Sequence, residues 1–158
     1  MNKLKTLATI VVLVLACGVF LPAARAGAWD QQMKIRFTQP VEIPGRTLSP
    51  GTYLFVLANV DSDRHVVEIY NDDWSTLYAT IQAIPVTRRY AHSGIELAFA
   101  ERPHNHPDAL LKLFYPDTLT GDQFVYRPKE ETELRRDTQR VVLARPHGPD
   151  TIIAASGE

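Results

Sequence analysis

The sequence predicts a mainly β protein: a single antiparallel β-sandwich or small barrel of about eight strands with one C-terminal helix. Three observations lead to this prediction. Apolar residues recur with a period of two in short segments from residue 33 onward, and turn-forming residues separate these segments. The period changes only in one charged stretch near residues 128–140. The connections have hairpin length, which favours antiparallel pairing because parallel strands need longer crossovers.

The first predicted strands differ in how they are buried. In MKIRF (33–37) the apolar side chains fall on one face and the basic side chains on the other, as in a strand with one wet side. Prolines bracket VEI (41–43), which we expect at a sheet edge because proline cannot donate to a ladder. The Pro50-Gly51 turn leads into YLFVLA (53–58), which is apolar on both faces and therefore predicted to be central.

The next strands follow at short intervals. HVVEIY (65–70) and STLYATIQAI (75–84) predict a hairpin that Pro85 ends. The remaining predicted strands are IELAFAE (95–101), ALLKLFY (109–115), QFVY (123–126) and VVLA (141–144).

A helix is predicted where the alternation stops, in PKEETELRRDTQR near residues 128–140. Pro128 suits the first helical turn, and the acidic residues precede the arginines, the order that the helix dipole favours. Leu134 is its only large apolar residue, so we expect the helix to be weakly held. Residues 146–158 contain turn residues with little periodicity and predict a flexible tail.

Residues 1–26 have the pattern of a signal peptide. Lys3 and Lys5 form a positive end, residues 6–21 are almost wholly apolar, and Ala24-Arg25-Ala26 presents the small residues that a signal peptidase accepts. We predict cleavage after Ala26 and export to the periplasm or the extracellular space. An uncleaved membrane anchor is the alternative, because the apolar run is about long enough to cross a bilayer.

Cys17 leaves a second mode of export open. VLAC (14–17) resembles the lipobox of bacterial lipoproteins, in which the cysteine is lipidated and becomes the first residue. The alternative prediction is therefore a protein anchored through a lipid on Cys17. Membrane contact is expected only in that case or if the signal is retained. The β-domain at 27–145 contains no cysteine and so no disulfide, and its core must supply the stability.

The charge of the chain excludes one class of partner. Cleavage removes three basic residues, so 17 minus 3 leaves 14 positive against 18 negative charges, a net charge near −4. Binding to nucleic acid requires a basic face. The pairs Arg88-Arg89 and Arg135-Arg136 are too isolated to form one, so we expect no nucleic acid partner.

The segment RPHNHP (102–107) contains the strongest metal-ligand candidates, His104 and His106. Residues two apart in an extended chain point the same way, but a zinc site needs three or four ligands. The others would have to come from His65, His92, His147, Glu101 or Asp108. The competing interpretation is a hairpin loop whose ends are fixed by two prolines.

Other catalytic motifs are missing from the sequence. It has no Gly-x-Ser-x-Gly elbow, and the mature chain has no cysteine nucleophile. The acidic turns, with Asp61, Asp63, Asp72 and Asp73, lack the glycine and terminal glutamate of a calcium loop. We therefore predict no catalytic residue and no cofactor. Trp74 lies in a turn and is the aromatic residue to examine for exposure.

These observations favour an exported β-domain with a non-catalytic binding or structural role in the cell envelope. Its partner would be another envelope component or a small ligand. One alternative is a carrier that holds a small apolar ligand in a barrel interior. The other alternative is a metalloenzyme that uses His104 and His106.

Several segments together carry a family resemblance: IPGRTLSPGTYLF, DRHVVEIYN, ATIQAIPVTR and LFYPDTLTGDQFVYRPK. They resemble a group of small secreted bacterial proteins of uncharacterised function, over about residues 40–145. Arg127 departs from the pattern, because it separates Tyr126 from Pro128 where the two would adjoin. This departure affects only the expected start of the helix. The resemblance implies export but no activity, substrate or site residue.

Overall fold

The computed structural model describes residues 32–58, 65–103 and 105–144, and the backbone of residues 151–153. These residues contain eleven strands and one helix, which confirms a mainly β protein with a helix near the C-terminal end. The helix, α1, spans Pro128–Leu134. The strands are β1 (Gln32–Phe37), β2 (Val41–Ile43), β3 (Arg46–Leu48), β4 (Gly51–Leu57), β5 (His65–Asn71), β6 (Leu77–Thr87), β7 (Ile95–Glu101), β8 (Asp108–Phe114), β9 (Thr120–Phe124), β10 (Thr138–Ala144) and β11 (Thr151–Ile153).

All eleven strands belong to one sheet. Its path runs β10-β7-β8-β9-β6-β5-β4-β1-β11, and β2 joins it from the side by pairing with β3 and β8. Most ladders are antiparallel, but β1 with β11 and β2 with β8 are parallel. The prediction of a purely antiparallel fold was therefore wrong, and the sheet is mixed. Among the described residues no ladder joins β10 to β11, so the sheet is not closed into a barrel.

The core lies on the one face of the sheet that the alternating apolar residues share. One buried cluster unites side chains from both halves of the strand path. Its largest members, each less than 2% exposed, are Phe37, Phe55, Phe99, Ile35, Ile43, Leu48, Ile69, Leu97, Leu110, Leu113 and Val41. Burial of this apolar surface is the main stabilising contribution that the sequence predicted.

The elements differ from the prediction in several boundaries and in two short strands. β6 runs through Pro85 to Thr87, because beyond Ala83 it pairs with β9 and no described residue of β5 lies opposite. The helix ends at Leu134 and not near residue 140, since β10 begins at Thr138 and pairs along its whole length with β7. Two three-residue strands, β3 and β11, were not predicted as strands, because so few residues show no alternation.

Candidate ligand-binding cleft

Helix α1 lies where the chain crosses the sheet. It connects β9 to β10, which are separated in the sheet by β8 and β7, so the connection must pass two strands. Leu134 is 2% exposed and is the one helix residue in the buried core cluster. Because a single leucine anchors the helix, space remains between the helix and the strands beside it.

This space is a cleft of about 290 Å³. Ligand pockets in proteins typically range from about 300 to 1,000 Å³, so this cleft lies at the lower limit and suits only a small ligand. Its walls come from β8, β9, α1 and β10, and its lining residues are Leu111, Lys112, Gln123, Phe124, Tyr126, Glu131, Leu134, Arg135 and Gln139.

Strand register places the polar residues of the sheet wall together. Lys112 of β8 pairs with Gln123 of β9 on one side and with Ala98 of β7 on the other. Directly paired residues point to the same face of a sheet, so Lys112 and Gln123 form one polar wall. Ala98 is 5% exposed, and β7 contributes none of the residues that line the cleft.

A β-bulge in β8 determines which residues reach the cleft. Leu111 has no partner in β7, because Ala98 pairs with Lys112 and Phe99 with Leu110. In a regular strand without a bulge, residues two apart such as Leu110 and Lys112 would point to the same face. The bulge turns Leu110 into the core, where it is fully buried, and keeps Lys112 beside the cleft.

The sheet wall carries polar groups without partners. Within the part of the chain that the structure describes, the side chains of Lys112, Gln123 and Gln139 make no hydrogen bond or ion pair. On the helix wall, Arg135 donates to Glu131 at 2.7 Å, and this hydrogen bond raises the pKa of Arg135. The two cations and one anion of the lining give the cleft one net positive charge.

A half-buried guanidinium and a buried hydroxyl make contacts at the two ends of the helix wall. Arg102 lies 2.7 Å from Glu42 of β2, and its guanidinium also faces Glu133 at 3.7 Å and Asp137 at 3.9 Å. The hydroxyl of Tyr126 donates towards the carbonyl oxygens of Leu110, at 2.9 Å, and Glu42, at 3.1 Å. Burial raises the pKa of Tyr126 far above its ordinary value, so this hydroxyl stays a donor.

A second polar cluster lies on the opposite face of β9. Asp122 is the one fully buried charged side chain among the described residues. It lies 2.5 Å from Nδ1 of His65 and accepts a hydrogen bond from the hydroxyl of Tyr115 at 2.6 Å. Through these two contacts the cluster joins β5, β9 and the residue that follows β8.

Among the described residues, the predicted metal ligands do not form a cluster. His104 lies outside the described residues, as does His147, and His106 is exposed in a turn where its N–H donates to the Pro103 carbonyl. Arg140 binds both nearby carboxylates, Asp108 at 2.9 Å and Glu101 at 3.1 Å. The described residues contain no group of three potential ligands.

The two remaining histidine candidates, His65 and His92, contact different residues. His65 is engaged by Asp122, and Nε2 of His92 lies 3.7 Å from Glu96. Arg88 holds the same Glu96 carboxylate at 3.0 Å.

The two acidic residues before Trp74 both have partners. Asp72 lies 2.5 Å from Lys34, and Asp73 accepts from the backbone of Ser75 at 3.0 Å. These contacts with Ser75 lower the pKa of Asp73. Trp74 is 43% exposed and stacks at 5.1 Å on Tyr70, so the residue singled out for exposure is indeed exposed. Asp61, Asp63, Cys17 and the predicted cleavage site at Ala26 lie outside the described residues.

Sequence reasoning missed the cleft residues. The available signal was one lysine inside the apolar strand ALLKLFY, which marks a polar position on an otherwise apolar segment. Within the described residues, no helix combines the length and the hydropathy needed to cross a bilayer. Comparisons with models of protein families, with curated proteins and with solved structures found no match for this chain.

Proposed function

We propose that this protein is a non-catalytic binding protein that holds a small carboxylate-bearing molecule in the cleft beneath α1. The observation that supports it best is the convergence of Lys112, Gln123 and Gln139, unpartnered among the described residues, on a cleft that also has apolar lining residues. Small-molecule sites usually combine apolar side chains with a few polar groups that fix the orientation of the ligand.

The chemistry of these groups favours a carboxylate. Lys112 supplies a positive charge, and the two amides supply N–H donors, which a carboxylate can accept with both oxygens. The amide oxygens can in turn accept from a hydroxyl or amide elsewhere on the ligand. Leu111, Phe124 and Leu134 provide the apolar surface that a short hydrocarbon body would cover.

The place of action that we propose is the cell envelope. The signal-peptide pattern of residues 1–26 supports this proposal, with lipid anchoring through Cys17 as the alternative. A bound envelope component is a second partner class that the sequence leaves open.

The test compares a carboxylate with a neutral molecule of the same shape. We expect butanoate to shift the NMR signals of Lys112, Gln123 and Gln139 in a saturable titration, and butanamide to bind at least several-fold more weakly. In Lys112→Met, butanoate should lose about tenfold in affinity, since a charge-assisted hydrogen bond contributes about 1.5–3 kcal/mol.

Lys129 provides the matched control for this experiment. It is an exposed lysine of α1 that does not line the cleft, so Lys129→Met removes the same charge without touching the proposed site. Equal affinities for butanoate and butanamide, or equal losses in the two lysine variants, would refute the proposal.

The alternatives have less support. An apolar ligand in the interior needs space that side chains such as Phe37, Phe55 and Phe99, each at most 1% exposed, occupy. Because one core cluster joins both halves of an open sheet, we favour the sandwich over the barrel as its architecture. The metalloenzyme would need at least one ligand from residues outside the described part of the chain.

A further inference from the structure

Two apolar side chains, Val141 and Leu143, are exposed on the sheet face beside the cleft. Val141 of β10 pairs with Ala98, and Ala98 pairs with Lys112, so the three residues form one row on this face. Leu143 follows two residues later and points to the same side. Val141 and Leu143 are 60% and 47% exposed. Ala98 is itself only 5% exposed, and because its side chain is so short, the row is lowest between Lys112 and the two exposed apolar side chains; we call this low row the trough.

The dimensions of this trough suit an extended chain. Neighbouring strands lie about 4.8 Å apart, so Val141 is about 10 Å from Lys112 across the sheet, and Leu143 lies about 7 Å further along β10. Glu96, the partner of Leu143, is bound by Arg88 at 3.0 Å. Its charge is therefore compensated and does not oppose an anionic ligand.

We propose that the ligand is an amphiphilic carboxylate, whose head group binds at Lys112 and whose hydrocarbon chain lies along Ala98, Val141 and Leu143. This inference rests on the proposed function and adds the chemical class of the ligand. Charge complementarity decides the occupant: the apolar row ends at a cation that has no ion-pair partner among the described residues. An uncharged apolar partner would bury that cation without a counter-charge, at a cost in free energy.

The test varies chain length at constant head group. We expect octanoate to bind at least about tenfold more tightly than butanoate, because its additional methylenes leave water on the trough. The double variant Val141→Ser/Leu143→Ser should remove most of this gain and leave the affinity for butanoate unchanged. Isothermal titration calorimetry of each fatty acid with each variant measures both effects.

Ile84 supplies the matched control. It lies on the same sheet face, pairs with Gln123 on the other side of the polar wall and is 53% exposed. Ile84→Ser should leave the affinity for octanoate unchanged. A loss of octanoate binding in Ile84→Ser equal to that in the double variant would overturn the proposed path of the chain.

Two further outcomes separate this inference from the proposed function. If butanoate and octanoate bind equally and both depend on Lys112, the inference fails and the proposed function stands. If neither fatty acid binds, both fail. Sedimentation of the wild type and the double variant adds a third outcome: a dimer that the two serine substitutions dissociate would show that a second copy covers this face, and would overturn the inference.

Discussion

At the scale of single residues, two glycines are required for different physical reasons. A Cβ at Gly121 would overlap the carbonyl oxygen of Leu113 and the ring of Phe114, its neighbours across the β8–β9 ladder. A Cβ at Gly45, in the turn between β2 and β3, would contact no other heavy atom, but the φ angle of Gly45 is +83°. The first position therefore excludes a side chain by contact, and the second by backbone conformation.

This difference predicts the effect of alanine at each position. We expect Gly45→Ala to lower the free energy of unfolding by about 1 kcal/mol, the usual cost of an L residue in the left-handed region. Gly121→Ala should cost about 3 kcal/mol, because β8 and β9 must separate to admit the methyl group. Urea denaturation of both variants measures the difference. Equal losses would contradict the assignment of a steric cause at Gly121.

Asp122 shows why sequence reasoning finds some residues and misses others. In DTLTGDQF an aspartate after glycine is typical of a turn, and nothing local marks it as buried. Its burial depends on His65, which is 57 residues away in the chain, and on Tyr115. Such a partner cannot be inferred from local pattern, whereas the exposure of Trp74 followed from its turn alone.

At the scale of elements, α1 is positioned by its ends and by one leucine. Its seven residues are too few to be stable alone, so tertiary contacts must hold it. Arg102, whose side chain is only 16% exposed, lies among Glu42, Glu133 and Asp137 and ties the end of α1 to β2. Without this guanidinium, three carboxylates would face one another.

Substitution of Arg102 should therefore loosen the helix. We expect Arg102→Met to lower the free energy of unfolding by about 2 kcal/mol, because it leaves partly buried carboxylates without a counter-charge. In Arg102→Met, the rate of hydrogen exchange should increase more for the backbone amides of α1 than for those of β7 and β8. Arg135→Met is the matched control, since Arg135 forms an exposed pair within the helix, and it should change stability little. Similar exchange in both variants would argue against the tether.

The sequence predicted this helix better at its start than at its end. Pro128 and the acidic first turn are local signals, and the helix begins there. Its end is determined by competition: Thr138, Val141 and Val142 are β-branched, and β7 offers them a complete antiparallel partner. The order of charges in the helix could not reveal that partner.

At the scale of the whole molecule, the buried tyrosines couple stability to alkaline pH. Burial, with Asp122 adjacent, raises the pKa of Tyr115, and burial raises the pKa of Tyr126. In the unfolded chain both hydroxyls ionise near pH 10.0. Above that pH the folded state binds more protons than the unfolded state, so stability is fully present below pH 10 and falls as the pH rises.

Each buried tyrosine should contribute a slope of about 1.4 kcal/mol per pH unit above pH 10. We expect Tyr115→Phe to be less stable than the wild type at pH 8 and to lose stability less steeply between pH 10 and pH 11.5. Urea midpoints across this range provide the measurement. Tyr90→Phe, at an exposed ring, is the control that should follow the wild type. Parallel curves for Tyr115→Phe and the wild type would contradict the prediction.

The overall architecture was predictable only in part. Alternation, turn chemistry and the single change of period predicted a β protein with one late helix, and these are local properties. The parallel pairings were not predictable: Ile35 lies beside Thr151, and Val41 beside Asp108, although each pair is far apart in sequence. The cleft also depends on residues that are far apart in sequence, because Lys112 and Gln139 line it together only after the chain has crossed two strands.

The bulge at Leu111 determines where this chain can lose a residue. Leu110 and Lys112 already point to opposite faces of the sheet, as two consecutive residues of a regular strand do. Their partners in β7, Phe99 and Ala98, are consecutive residues. Deletion of Leu111 would therefore straighten the strand and leave every flanking pair in register, whereas deletion of a residue outside the bulge would reverse the faces of the residues on one side of the gap. Leu111 also lines the cleft. Changes in the length of β8 can thus reshape the binding site at this one position while the core keeps its order.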